Sequence, residues 1–400
     1  MQVYFTFRRL FVKYGYIMYK RPFWIKQIKK AWEKRPIAWL SGVRRVGKTT
    51  LAQMFQNAIY LNCDLPSVVR RLEDPETFYD GLVKNSIVIF DEVHRISDPS
   101  RLLKIAADVY PHLRILATGS STLAATKKFR DSLTGRKQAI YLPPVLYSEC
   151  SNVFNIKDID HRFLFGGLPE SLLSDKKDDS FFSEWIDSFY ARDIQELFGI
   201  RNRIGFVKLL HLLLRQSGGM VDYSNLAKLS DLSRPTVKAH IEAMSIAHAV
   251  FLLPPYFGSG RREITRRPKC YAFDTGFITF IKGWEKIRED DRGLLWEHLV
   301  LDTLRTFIND NDLYYWRNKS GWEIDFIIRG TENNIHAIEC KISPEAFNPK
   351  SLHLFRSQYP HGNNYVICPN IKANYKLRDK NLIINYCSLD NFPIEFNYYK

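Results

Sequence analysis

Four hundred residues, 45% of them hydrophobic and 25% charged, are enough to bury two or three cores and exclude a disordered scaffold. Lysine and arginine (58) outnumber aspartate and glutamate (43), and the formal net charge of +15 favours polyanionic partners such as nucleic acid or nucleotide. No apolar run reaches the ~18–20 residues of a membrane span, and six cysteines, none within four residues of another, exclude a zinc knuckle or a redox pair and read as reduced thiols of a cytoplasmic protein.

The first stretch, from Met1 to Val12, is aromatic and basic. Its arginines interrupt the apolar run and no small-residue cleavage site follows, so it makes a poor signal peptide. Residues 1–17 read as an extension or loose arm ahead of Met18 and carry no assigned function. Pro22 opens a helix through Trp32, with Trp24, Ile25, Ile28 and Trp32 spaced to share one face.

Ile37-Ala38-Trp39-Leu40 reads as a strand, and Leu51-Ala52-Gln53-Met54-Phe55 as a helix. Between them, Gly42-Val43-Arg44-Arg45-Val46-Gly47-Lys48-Thr49-Thr50 fits the phosphate-binding loop: Gly, four residues, then Gly-Lys-Ser/Thr. Backbone N–H groups at such a turn can point at phosphate oxygens, and the helix dipole favours negative charge there. Lys48 is expected to reach the β- and γ-phosphates of ATP, and Thr49 to hold Mg2+ through its hydroxyl.

A short strand, Ile59 to Asn62, and a polar helical stretch from Pro66 to Gly81 follow. Ser86-Ile87-Val88-Ile89-Phe90-Asp91-Glu92 is an apolar run ending in two acids, as expected of a strand buried on both faces with its acids at the sheet's carboxyl edge. Asp91 is expected to organise Mg2+, and Glu92 to orient and deprotonate the attacking water. His112 to Ser121 is a third such strand, whose polar end would bring Thr118, Ser120 or Ser121 near the γ-phosphate. An extra strand between the first two motifs fits the additional-strand class of P-loop ATPases. Leu133-Thr134-Gly135-Arg136 supplies Arg136 as a γ-phosphate-sensing arginine, acting in cis or on a neighbour in a homo-oligomer.

Gly-Val-Arg-Arg-Val-Gly-Lys-Thr-Thr, Phe-Asp-Glu-Val-His-Arg, Thr-Gly-Ser-Ser, Leu-Thr-Gly-Arg and the later Phe165-Gly166-Gly167-Leu168-Pro169-Glu170 resemble a family of prokaryotic AAA-type ATPases. Its members carry a nuclease-like domain at the carboxyl end. The resemblance runs from Met18 onward. It departs at Val145-Leu146-Tyr147-Ser148-Glu149, where only Ser148-Glu149 fits the family's polar-aromatic stretch. It implies architecture more than biological role.

The middle reads as helices, with Phe181, Trp185, Phe189 and Ile194 on a buried face. Arg192, within a stretch that resembles a family helix motif, reads as a helix-face ion pair or a contact to nucleotide or a neighbouring subunit. Asp222 to Ile241 has helix-turn-helix spacing, with Ser233 capping the second helix and Pro235 in its first turn. Arg234, Thr236, Lys238 and His240 are expected on its exposed sides. Ala249 to Leu253 and Tyr271 to Phe273 read as strands flanking a wing whose cations are Arg261, Arg262, Arg266, Arg267 and Lys269. Such a wing suits a phosphate backbone, with binding that falls steeply with salt.

Near the carboxyl end, a helix from Leu294 to Phe307 precedes strands at Tyr314–Arg317, Gly321–Ile328 and Ile335–Lys341, a helix from Pro344 to Gln358 and a strand from Asn364 to Cys368. Residues two apart on a strand share a face, so Glu339 and Lys341 point together and Asp325 can face Glu339 across the ladder. That is the PD-(D/E)xK nuclease pattern. Asp325 and Glu339 would ligate Mg2+ or Mn2+, Lys341 would polarise water, and Glu297 would act through metal-bound water or orient Lys341.

The expected architecture is therefore α/β: a P-loop NTPase domain of the AAA-type, additional-strand class at 18–146, a helical and winged-helix region at 147–285, and a restriction-endonuclease-like domain at 286–400. The expected function is ATP binding and hydrolysis acting on DNA, with nucleotide state gating a metal-dependent nuclease-like domain. Two alternatives stand beside it: an ATP-switched DNA-binding or partner-sensing module with a silent nuclease fold, and an ATPase that remodels protein partners.

Overall fold

In the computed structural model, which describes residues 19–119, 127–257, 267–330 and 334–392, the apolar runs of the first third form a parallel sheet. Its strands are β1 (Ile37–Ser41), β2 (Ile59–Asn62), β3 (Ile87–Asp91), β4 (Arg114–Thr118) and β5 (Lys137–Tyr141), in the order β2-β3-β4-β1-β5. All neighbouring pairs are parallel. β4 lies between β1 and β3, so the strand ends carrying the phosphate loop, Thr118 and Asp91 sit side by side. Alternate residues feed two cores: Ala38, Leu40, Ile89 and Leu116 pack with Trp24, Ile28 and Trp32 of the helix Pro22–Lys34, while Ile37, Trp39, Val88 and Phe90 pack with Leu102 and Leu103 of the helix Pro99–Val109. This two-sided burial is why β1 and β3 read as unbroken apolar runs. Each fully buried aliphatic chain such as Ile28 contributes about 1.5–3 kcal/mol.

Helices Tyr147–Asn152, Ile159–Phe165 and Asp179–Phe189 follow, and the last continues through a π-helical stretch at Tyr190–Gln195. The pair Tyr223–Ser230 and Arg234–Ile246 forms the helix-turn-helix. Asp222 accepts from the Ser224 and Asn225 N–H groups, and Ser233 accepts from Thr236 N–H at 3.2 Å, which fixes both helix starts. An antiparallel sheet of β6 (Gly219–Met220), β7 (Val250–Leu253) and β8 (Lys269–Ala272), ordered β6-β8-β7, follows this helix pair.

After the helix Glu289–Phe307 come β9 (Leu313–Arg317), β10 (Glu323–Arg329), β11 (Ile335–Cys340), the helix Lys350–Arg356, β12 (Asn364–Ile367), β13 (Tyr375–Asp379) and β14 (Leu382–Cys387). The sheet order is β13-β14-β12-β11-β10-β9, antiparallel through β9, β10 and β11 and parallel through β11, β12 and β14. The outer edge of β9 is covered by the segment just after β7: Tyr256 N–H donates to the Tyr315 carbonyl at 2.6 Å and Tyr315 N–H to the Pro254 carbonyl at 3.1 Å.

Several expectations shift. The expected helix Pro344–Gln358 is a 3-10 turn at Pro344–Ala346 and a separate helix at Lys350–Arg356. His240 is buried, its ring 5.4 Å from that of Phe206, because helical spacing turns it inward with Val237 and Ile241. Lys269 is a buried residue of β8 and not an exposed wing cation. The readings on residues 1–17, on Ser120 and Ser121, and on Arg261, Arg262 and Arg266 lie outside the described residues.

Candidate nucleotide site and a buried acid–lysine cluster

The phosphate loop turns on two glycines. Gly42 has φ +149, and a Cβ there would lie 2.5 Å from the Leu142 carbonyl oxygen. Gly47, at φ +98, leads directly into the helix Lys48–Ala52. Both positions demand a residue without a side chain. Lys48 Nζ donates to the carbonyls of Gly42 (2.8 Å) and Val43 (3.0 Å). Burial lowers its pKa, opposed by the charges of Glu92, Asp193 and Asp91.

Asp91 is gripped by two hydroxyls: Thr118 donates to Oδ1 at 2.5 Å and Tyr60 to Oδ2 at 2.6 Å. Glu92 has φ +56 and ψ +44, left-handed backbone that a non-glycine residue adopts only when its surroundings impose it. The imposed contacts are visible. Its N–H donates to Thr118 Oγ1 at 3.0 Å, and its Oε2 lies 3.2 Å from His94 Nδ1. Burial depresses the His94 ring, opposed by the Glu92 charge beside it.

The helical region closes the other side of the same cavity, whose volume is about 990 Å3 and whose lining includes Lys48, Thr49, Glu92, His94, Pro169 and Arg192. Arg44 NH1 pairs with Asp193 Oδ2 at 3.2 Å, and Trp185 Nε1 donates to the Arg44 carbonyl at 3.1 Å. Burial raises Asp193, and Arg44 and Lys48 offset only part of that rise. Arg192 and Asp193 lie on the π-helical turn, whose extra residue per turn re-aims neighbouring side chains, a recurring device at functional sites. Thr49 and Asp91 offer the hard oxygen donors that suit Mg2+ with its waters and phosphates.

Gly42, Val43, Arg44, Arg45, Gly47, Lys48, Thr49, Thr50 and Glu92 thus share one cavity, with Val46 buried beneath the loop. Arg136 does not join them: its guanidinium pairs with Asp108 at 2.6 and 2.9 Å, away from the cavity lining, which removes it as a phosphate sensor in cis. Tyr60, His94 and Asp193 were not picked out from the sequence. His94 and Asp193 had local signals, since each lies within a stretch that carries the family resemblance.

A second polar cluster lies in the carboxyl third. One step beyond the Phe326↔Ile338 pair, Asp325 stands across from Glu339. Lys341 Nζ donates to Glu339 Oε2 at 2.7 Å and to Asp325 Oδ2 at 3.3 Å, and the Cys340 N–H reaches Asp325 Oδ2 at 2.8 Å. Burial and the Asp325 charge push the Glu339 carboxyl up to about 8. Burial alone would raise Asp325 as well, but Lys341, Lys269 and the Cys340 N–H bring it below the usual carboxylate value.

The sequence-derived roles in this cluster need correction. Glu297 does not orient Lys341: its Oε1 accepts from the Tyr271 hydroxyl and lies 3.3 Å from Lys269 Nζ. Lys269 Nζ also meets Glu323 Oε1 at 2.5 Å. Asp325 and Glu339 are taken up by Lys341, and among the described residues no three His, Cys, Asp or Glu side chains gather as a metal site. As arranged, the cluster does not fit Mg2+ or Mn2+, because ammonium groups already occupy its oxygens.

Of the intended DNA-contacting cations, Arg234 and Lys238 are exposed one turn apart on the second helix of the pair. Arg267 pairs with Asp222 at 2.8 Å.

Residues 34–151 match a family described as an AAA domain, and residues 156–288 and 292–389 match two families described as domains of unknown function. Uncharacterised proteins of Mycobacterium tuberculosis (Rv2008c) and Mycobacterium bovis (Mb2031c) are each 27% identical over 314 residues, covering 76% of this chain and 69% of theirs. Among solved structures, a RuvB variant from Thermotoga maritima is 15% identical, covering 57% of this chain and 88% of its own at a TM-score of 0.28. AMPPCP-bound DnaA from Aquifex aeolicus is 12% identical, covering 55% of this chain and 86% of its own, also at 0.28. Likenesses this distant do not bear on function. No helix among the described residues is long and apolar enough to cross a membrane.

Proposed function

From an AAA-type P-loop ATPase domain at residues 34–151, we propose that the chain is an ATP-hydrolysing switch that binds DNA through its winged helix and carries a silent nuclease-like domain. One observation carries the reading: the phosphate loop and the π-helical turn share a cavity and are joined by the Arg44–Asp193 pair. A nucleotide seated there touches both the sheet and the helical region, so its state can bias how the two sit together. Thr49 and Asp91 would hold Mg2+, which supplies charge neutralisation at the phosphates. Glu92, fixed by Thr118 and His94, is positioned to orient and deprotonate water. Exposed Arg192 on the cavity wall is available to a phosphate.

DNA binding rests on Arg234 and Lys238, and on the wing cations. Fluorescence anisotropy with duplex DNA tests it at graded salt. Arg234→Ala/Lys238→Ala should weaken binding and reduce the log–log salt slope by about 2, roughly one for each phosphate no longer neutralised. Absent or salt-insensitive binding would favour an ATPase that remodels protein partners.

A second reading, metal-dependent phosphodiester cleavage, is favoured by the Asp325, Glu339 and Lys341 juxtaposition and by the helix–three strands–helix–strand order around it. Plasmid incubated with Mg2+ or Mn2+ decides between the two. Cutting lost in Asp325→Ala and Lys341→Ala would establish the nuclease. An intact plasmid supports the silent domain.

A further inference from the structure

The helix Pro22–Lys34 carries a charge pattern that the ATPase core does not use. Its apolar face is filled: Trp24, Ile28, Ala31 and Trp32 are buried in the core that they share with the parallel sheet. Lys26, Lys29 and Lys30 stand on the opposite face, all exposed. We propose that this face, continued by Lys34, Arg35 and Arg114, is a second nucleic-acid contact that grips the phosphate backbone of duplex DNA without reading its sequence. The inference rests on the DNA-binding reading above and adds a separate surface to Arg234 and Lys238.

The cations stand without carboxylate partners. Among the described residues none of the six forms an ion pair, whereas Lys128, Arg203 and Lys208, also exposed, hold carboxylates at 2.8, 2.5 and 2.5 Å. Glu33, the one acid on that face of the helix, is exposed and pairs with none of them. Like charges three and four apart on a helix repel, so Lys26 with Lys29 and Lys30, and Lys30 with Lys34, weaken the helix that bears them. A polyanion laid along the stripe removes that repulsion.

The patch continues off the helix. Ile115 N–H donates to the Pro36 carbonyl at 2.9 Å, and Ile37 lies opposite Ile115, which brings Arg35 and Arg114 together at the amino edge of the sheet. The phosphate loop follows the other end of β1, so a duplex held here leaves the nucleotide cavity open. From Lys26 to Lys34 the helix rises about 12 Å, a length over which duplex DNA presents about seven charges.

The same features decide against other occupants. A basic amphipathic helix binds membranes by inserting its apolar face, and here that face is part of the protein core. A protein partner wants an apolar or aromatic centre to its interface, and no large hydrophobic side chain is exposed from Pro22 to Pro36. Lysines act as point charges rather than planar forks, so they hold phosphates and carry no base information.

Fluorescence anisotropy of the full chain with two labelled duplexes of unrelated sequence, at graded salt, tests the proposal. Lys26→Ala/Lys29→Ala/Lys30→Ala should weaken binding to both at least ~10-fold and reduce the log–log salt slope by about 3. Lys26→Glu/Lys29→Glu/Lys30→Glu should weaken it further. Adding Arg234→Ala/Lys238→Ala to the alanine variant should bring the total slope reduction to about 5. Melting temperature and ATP-analogue affinity should stay those of the parent, because the substituted side chains are exposed and lie outside the cavity lining. Undiminished DNA binding by the lysine variants would overturn this inference, and weakened binding by Arg234→Ala/Lys238→Ala in the same experiment would leave the DNA-binding reading standing. Lysine variants that lose binding to vesicles of phosphatidylglycerol and phosphatidylcholine, but not to DNA, would also overturn it. A parent chain that binds neither duplex would overturn the DNA-binding reading and this inference with it.

Discussion

The phosphate-loop pocket and the carboxyl-terminal cluster are built from similar parts. Each gathers two acids and a lysine. In the first, Lys48, Thr49 and Glu92 border a cavity of about 990 Å3. In the second, Lys341 and Lys269 are already engaged by Glu339, Asp325, Glu323 and Glu297. The residue types specify what chemistry is conceivable at each place. What decides between a reactive site and a structural one is whether the charged groups face a space that a ligand can enter.

Breaking each region should therefore change a different observable. The largest effect falls on the pocket: Lys48→Ala should lower nucleotide affinity by roughly 100-fold or more, read by titration with a fluorescent ATP analogue, while leaving the melting temperature near that of the parent. The reverse is expected of the cluster. Lys269→Ala should leave nucleotide binding intact but destabilise the fold by about 3–5 kcal/mol, measured by denaturant unfolding, because Glu297 stays buried without its cation. Unchanged stability would mean that the carboxylate finds water once the lysine is gone.

A smaller, pH-dependent effect sharpens the contrast at the same domain boundary. His298 is 2% exposed, donates its Nδ1–H to the Leu294 carbonyl and receives the Ser217 hydroxyl on Nε2, and burial depresses its pKa to about 4. The unfolded chain protonates this ring near the ordinary value of 6.5, and the folded chain does so only near 4. The stability it contributes is thus present above pH 6.5 and is lost as pH falls through that window. A loss of about 1–3 kcal/mol is expected between about pH 6.5 and 4, and His298→Asn should flatten it. A melting curve equally steep in both proteins would assign the acid sensitivity to other groups.

How far these regions could be read beforehand differs for physical reasons. The phosphate loop is a local pattern: Gly42 and Gly47 are required by backbone angles within a single turn, and the acids follow a strand whose two-sided burial leaves an unbroken apolar run. The extra strand read between the first two motifs is β2, at the edge of the sheet, whereas the strand that separates β1 from β3 is β4. β5, with Lys137 and Gln138, lacks that run because it lies at the edge of its sheet, and it passed unread. The hairpin of β13 and β14 passed unread too, since its outer strand exposes Lys376 and Arg378 and pairs on one side only. Lys269 was misread because its partners, Glu297 and Glu323, lie far along the chain, while its chain neighbours are the cations of a wing. Tyr60 carries its hydroxyl to Asp91 across a strand pair, which no local pattern announces.

The central claim is that the open pocket hydrolyses ATP with Glu92 as its base. Release of inorganic phosphate, measured under saturating ATP and Mg2+ for the parent and Glu92→Gln alongside nucleotide affinity, tests it most directly. Turnover reduced by about 100-fold or more with affinity retained is the expected result. An unchanged rate in Glu92→Gln would contradict it.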